Sequence, residues 1–212
     1  MISGDTRLLV TKAQSLSALQ RIAEAEAFLE KELHSSVSEE LFIQLIRLRQ
    51  EHGKTSEALE TAQMALSAFP LSTGILELKA ALLFSSREFA HSFYVYRQLC
   101  QLKPTDASYP ALSGNALLEL NLFGLALESY MDADNRAQGR QAWIIANIGN
   151  LLNNRGLYSL AIEHLEKSLL IHPHLEYAEE RVLSARQNRA AEEQRLATLL
   201  KETLAQRAPD SQ

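Results

Sequence analysis

Ala58, Ser92, Ala126 and Ala161 stand 34, 34 and 35 residues apart along the chain. A second row keeps step with them as Ala80, Gly114 and Gly149, with Ile46 as the large exception. Pro70, Pro104 and Pro173 punctuate the same place in three of the units. Small residues recurring on two helical stripes call for pairs of short helices whose backbones approach closely. A hairpin of that size cannot bury both of its apolar faces alone, so successive hairpins must stack.

The stretch 142–175 shows the unit most fully. Ile145, Ile148 and Leu152 fall on one helical stripe, with Gly149 beside them for a close approach. Trp143, Asn147, Asn150 and Asn154 form a second, polar-aromatic stripe on another face. Arg155-Gly156 makes the turn. Tyr158, Ala161, Leu165, Ser168 and Leu169 then face inward until Pro173 closes the unit.

A period near 34 residues with a small residue in each helix, an aromatic in the second helix and a closing proline resembles the tetratricopeptide repeat. The resemblance implies an all-α, right-handed α-solenoid of four to five helical hairpins. Four repeats are expected over 39–175, after a degenerate repeat or N-terminal cap over 6–38 that lacks a turn glycine. From Arg7 to Leu33 the apolar side carries Leu9, Leu16, Leu19, Ile22, Ala25 and Leu29. Ser38, followed by Glu39-Glu40, is the expected N-cap of the next helix. Residues 176–206 contain neither glycine nor proline and read as one long C-terminal capping helix, with 207–212 as a tail and 1–5 frayed. Tyr177, Ala178, Val182 and Ala185 are expected to cap the last repeat. Leu196, Leu199, Leu200 and Leu204 form a narrow stripe suited to self-association or a partner helix.

The formal net charge of −5 and pI near 5.7 oppose a nucleic-acid partner or an anionic membrane surface, both of which attract basic proteins. One cysteine, Cys100, excludes a disulfide framework and fits a reducing compartment. With no signal-peptide pattern and no apolar run of membrane-spanning length, a cytoplasmic protein is expected. The six histidines show no metal-ligand spacing, His172-Pro173-His174 sits in a turn, and the glycines read as repeat punctuation rather than a phosphate loop. No catalytic residue, metal or cofactor is expected, and an enzyme is the least favoured class.

What remains is surface. In stacked hairpins of this family the first helices line a concave groove. The resemblance therefore assigns peptide binding to Arg47, Glu77, Phe84, Asn115, Trp143, Asn147, Asn150, Asn154, Tyr177 and Arg181. Ala81, Ala111 and Leu118 share the same stripe. Amides can grip a ligand backbone while aromatic and guanidinium groups anchor its side chains. Some family members clamp a C-terminal carboxylate with lysines, asparagines and an arginine. Asn115, Asn147 and Arg181 match three of those places, whereas Ala111 and Tyr177 stand where lysines would. The expected function is a non-catalytic protein-interaction module (adaptor, co-chaperone or scaffold) with a protein or peptide partner. Residues Ala90 to Tyr130, with Cys100, Asp106, Gly114 and Ala126-Leu127, are similar to type III secretion chaperones of translocator proteins, which is the alternative.

Overall fold

The computed structural model describes the backbone of residues 4–207 and the side chains of 6–203. Residues 1–3 and 208–212, and the side chain of Leu204, lie outside the described residues. Gly4 and Asp5 are already helical, and Arg207 still belongs to the last helix. The described residues form eleven α-helices and no strand. They fall into two compact units that divide after Leu122.

The first unit holds α1 (Gly4–Ala18), α2 (Ile22–Ser35), α3 (Glu39–Glu51), α4 (Thr55–Ala68), α5 (Thr73–Ser85), α6 (Phe89–Leu102) and α7 (Ser108–Glu119). Each helix packs on its neighbour in the chain, and α1, α3 and α5 also pack side by side. That second set of contacts puts α1, α3 and α5 in one layer. The core follows the small-residue rows. Ala58, Ala62 and Ala65 of α4 are fully buried around Ile46, Ile75 and Leu82. Ser92, also fully buried, donates its hydroxyl to the Ala80 carbonyl at 2.9 Å, tying α6 to α5. A serine fits this small-residue row because its only polar atom finds a backbone acceptor.

Several local expectations change. Residues 7–33 are broken by a turn at Leu19–Arg21, in which Gln20 takes a left-handed φ of 61° in place of a glycine. Leu19 sits in that turn and is 67% exposed instead of facing the core. Ser38 occupies the N-cap of α3 without a side-chain capping bond. Ser72 does cap: its Oγ accepts from the Ile75 N–H at 3.2 Å and donates to Glu39 at 2.6 Å. Punctuation by glycine is also incomplete. Arg87 and Asn121 hold left-handed turns at φ 63° and 60°, while Gly74 and Gly124 lie inside α5 and α8.

The second unit holds α8 (Phe123–Ala137), α9 (Ala142–Asn154), α10 (Tyr158–Ile171) and α11 (Glu176–Arg207). Here α9 packs on α8, α10 and α11, and α10 packs on α11. Ala178, Val182 and Ala185 of α11 are buried. From Arg186 to Glu202 every residue of α11 is exposed, including Leu196, Leu199 and Leu200 at 58%, 49% and 60%.

This packing also bears on the titration of His164 on α10. Burial holds its pKa below the ordinary imidazole value; Lys167 adds to the depression, and Glu163 and Asp134 oppose it. A histidine depressed in the folded state binds its proton better when unfolded. Stability should therefore hold above a pH of about 6.5 and decline as the pH falls below it. His164→Gln is expected to lose less stability than the wild type between pH 7.5 and 5.5 in urea titrations. Identical losses would remove His164 as the cause.

Candidate functional site

In the first unit the odd-numbered helices enclose a groove of about 560 Å³. Gly74, Leu78 and Ala81 line it from α5, and Ser108 and Leu112 line it from α7. Spacings of four and three residues put each set on one helical face. Arg47 of α3 closes one side, and Glu77, Tyr96, Asp106 and Tyr109 supply the polar groups elsewhere. Tyr109, buried in the core, donates its hydroxyl to the Glu77 carboxylate. Lys103 Nζ stands 4.0 Å from the same carboxylate. Burial raises the pKa of both Tyr96 and Tyr109, and Glu77 raises both further. Both phenols therefore remain neutral donors at ordinary pH. A smaller cavity of about 350 Å³ between α1 and α3 is lined by Gln14, Gln44 and, again, Arg47.

The expected stripe is thus present only in part. Arg47, Glu77 and Ala81 line the groove, whereas Phe84 packs edge-to-face on Phe89 at 5.2 Å across the α5–α6 turn. Ala111 is fully buried and does not line it. Asn115 is half-buried on α7, three residues after Leu112. Sequence reasoning missed Leu78, Ser108, Tyr109 and Leu112. The signal was available in the repeat register, because Gly74, Leu78 and Ala81 plus 34 give Ser108, Leu112 and Asn115.

The same step carries into the second unit. Gly114 to Gly149 is 35 residues, and Ser108, Leu112 and Asn115 plus 35 give Trp143, Asn147 and Asn150. Ala111 becomes Ala146, which is likewise fully buried. A methyl at this position reaches only the neighbouring helix, while Glu77, at the equivalent place in α5, is long enough to emerge into the groove.

On α9, Trp143, Asn147 and Asn150 are half-buried and Asn154 is exposed. Ile144, Ile145 and Ile148 fill the interior instead. Asn150 Oδ1 is buried with no hydrogen-bond partner among the described residues. Such an acceptor costs ~1–3 kcal/mol unless something satisfies it. On α11 the Arg181 guanidinium lies over the Tyr177 ring at 5.3 Å, with its Nε likewise unpartnered. Burial raises the Tyr177 pKa, and the adjacent Arg181 partly offsets this. Asn153, which was not expected to matter, is buried and accepts from Asn188 Nδ2 at 3.2 Å, joining α9 to α11. Among the described residues no group of three or more His, Cys, Asp or Glu side chains could hold a metal ion, and no helix is long and apolar enough to cross a membrane.

No protein-family model matches the chain, and no curated protein matches it. Solved structures do. A tetratricopeptide repeat protein from Parabacteroides merdae aligns with a TM-score of 0.75 at 18% identity, over 92% of this chain and 77% of that one. MamA from Desulfovibrio magneticus aligns at 0.69 and 16% identity, over 82% and 99%. YrrB, described as a TPR protein with an unusual peptide-binding site, aligns at 0.64 and 18% identity, over 81% and 89%. Likeness at this identity speaks to architecture, and it agrees with the helix pairs and small-residue rows found above. The chain has the tetratricopeptide-repeat fold, an all-α array of helical hairpins of the α-solenoid class.

Proposed function

We propose that the chain is a non-catalytic protein-interaction module that takes a peptide or protein segment on the faces of its odd-numbered helices. One observation carries this reading. Trp143, Asn147 and Asn150 occupy the repeat positions that line the groove of the first unit, and none of them is spent on the core. A large aromatic beside two amides, one with an unsatisfied buried acceptor, is the composition of a binding hot spot. Arg181 on Tyr177 adds a planar cation able to meet a carboxylate. Such a module would act as an adaptor, co-chaperone or scaffold. The net charge of −5 and the single cysteine support a partner that is neither nucleic acid nor an anionic membrane, met in a reducing compartment such as the cytoplasm.

The test is Trp143→Ala in the full chain, after affinity purification with the wild type has identified a retained protein. The variant should melt with the wild type while its affinity falls by ~2 kcal/mol or more. A melting temperature several degrees lower with binding unchanged would make Trp143 filler and sink the reading.

A further inference from the structure

The groove of the first unit has a polarity that the proposed function does not specify. Arg47 is exposed and has no hydrogen-bond or ion-pair partner among the described residues. Arg49, two residues on, shows how this chain treats a structural guanidinium: it is paired with Glu30 and hydrogen-bonded to Thr61. Arg47 is the residue of α3 that lines both cavities. The other side of the larger groove is acidic. Glu77 accepts from Tyr109 and has Lys103 at 4.0 Å as its ion-pair partner among the described residues, yet 46% of its side chain is open. Asp106 adds a second carboxylate, which accepts from the Ser108 N–H at 2.9 Å. Leu78 and Leu112 lie in the same groove as an apolar surface.

We propose that this groove selects an extended peptide segment of mixed charge, whose acidic side chain meets Arg47, whose aliphatic side chain covers Leu78 and Leu112, and whose basic side chain meets Glu77 and Asp106. The volume of about 560 Å³ falls within the ~300–1,000 Å³ range of ordinary ligand sites. The Tyr109 hydroxyl fixes the Glu77 carboxylate in place, so little side-chain entropy is lost when a cation arrives. The opposed charges impose a direction on the segment, because the reversed order would set acid against acid and cation against cation. The inference rests on the proposed function for the claim that peptides bind these helix faces at all, but it uses residues of the first unit only.

The experiment uses the full chain and an array of blocked, fluorescein-labelled nonapeptides. In each, one acidic and one basic residue flank a leucine, with the spacing varied and both orders present; matched peptides carry glutamine for both charges. Fluorescence anisotropy should find at least one spacing that binds in one order and is weakened at least about tenfold in the other order or in the glutamine version. That binding should weaken with added salt. Arg47→Glu should reduce it about tenfold or more, and replacing the peptide's acidic residue by lysine should restore affinity for this variant. Circular dichroism should show an unchanged melt, since Arg47 holds nothing in place. The proposal is overturned if no array peptide binds, if glutamine peptides bind equally well, or if Arg47→Glu changes nothing. The two readings fail separately. Loss of the purified partner in Trp143→Ala with no array binding leaves the interaction module standing and removes the mixed-charge groove. Charge-ordered array binding with the partner retained by Trp143→Ala does the reverse.

Discussion

Gly149→Leu should destabilise the protein by about 3 kcal/mol, the upper part of the range for overpacked helix contacts. A Cβ built on Gly149 would lie 2.6 Å from Leu165 Cγ, 3.0 Å from the Ala161 carbonyl oxygen and 3.1 Å from Leu165 Cδ2. Leu165 is fully buried, so its side chain has nowhere to swing, and the carbonyl belongs to helix backbone. Even Gly149→Ala should lower stability, although alanine is intrinsically the better helix former by ~1 kcal/mol. Gly124 is the control: it too is helical, but a Cβ there meets nothing within 4 Å, so Gly124→Ala should be neutral or stabilising. For a chain of this size 3 kcal/mol corresponds to roughly 6–12 °C in melting temperature. Calorimetry and urea denaturation of the three variants would check it. A Gly149→Leu variant melting with the wild type would mean that α9 and α10 do not approach as described.

Gly149 also shows why the fold was so legible. Backbone proximity leaves a signature in the sequence because only the smallest side chains are compatible with it, and Gly149, Gly114 and Ala80 repeat that signature in register. Turns were less legible. A left-handed turn residue is usually glycine, but Gln20, Arg87 and Asn121 hold such turns here, so the α1–α2 break could not be found by looking for glycine. Caps misled for a related reason. Ser38 and Ser72 both precede helices, yet only Ser72 aligns its hydroxyl with a free N–H.

The candidate site was legible where it was polar and obscure where it was apolar. Asn147, Asn150 and Trp143 drew notice because they interrupt an apolar pattern. Leu78 and Leu112 did not, since a leucine at helical spacing reads as core whether it faces a neighbouring helix or an open groove. Tyr109 was missed because its partner Glu77 lies 32 residues away, a pairing that no local pattern contains. Asn153 stayed hidden among the asparagines of α9 until Asn188 was placed beside it. Ile46 drew notice for the opposite reason, as the one large residue in a row of small ones.

Ile46→Ala should cost about 3 kcal/mol, in the middle of the ~2–5 kcal/mol range for buried isoleucine truncation. This is the same repeat position as Gly149, but there added bulk destabilises and here lost bulk does. At Gly149 the facing residue is the large Leu165, and the glycine makes room for it. At Ile46 the facing helix presents Ala58, Ala62 and Ala65, all fully buried, and Ile46 fills the space those alanines leave. Close packing requires the sum of volumes across the contact to hold, not the size at either position. Removing three carbons from Ile46 therefore leaves a void lined by Ala62, Ile75 and Leu82, which a rigid helix pair cannot close. Ile46→Val should cost only ~0.5–1.5 kcal/mol. Adding Ala62→Val to Ile46→Ala should recover part of the loss, giving a coupling of opposite sign to the single substitutions. Ala62→Val alone should destabilise by overfilling the same space. Urea denaturation of these four variants decides the matter: a loss below about 1 kcal/mol for Ile46→Ala, or simple additivity in the pair, would mean that the two helices do not share one packed volume.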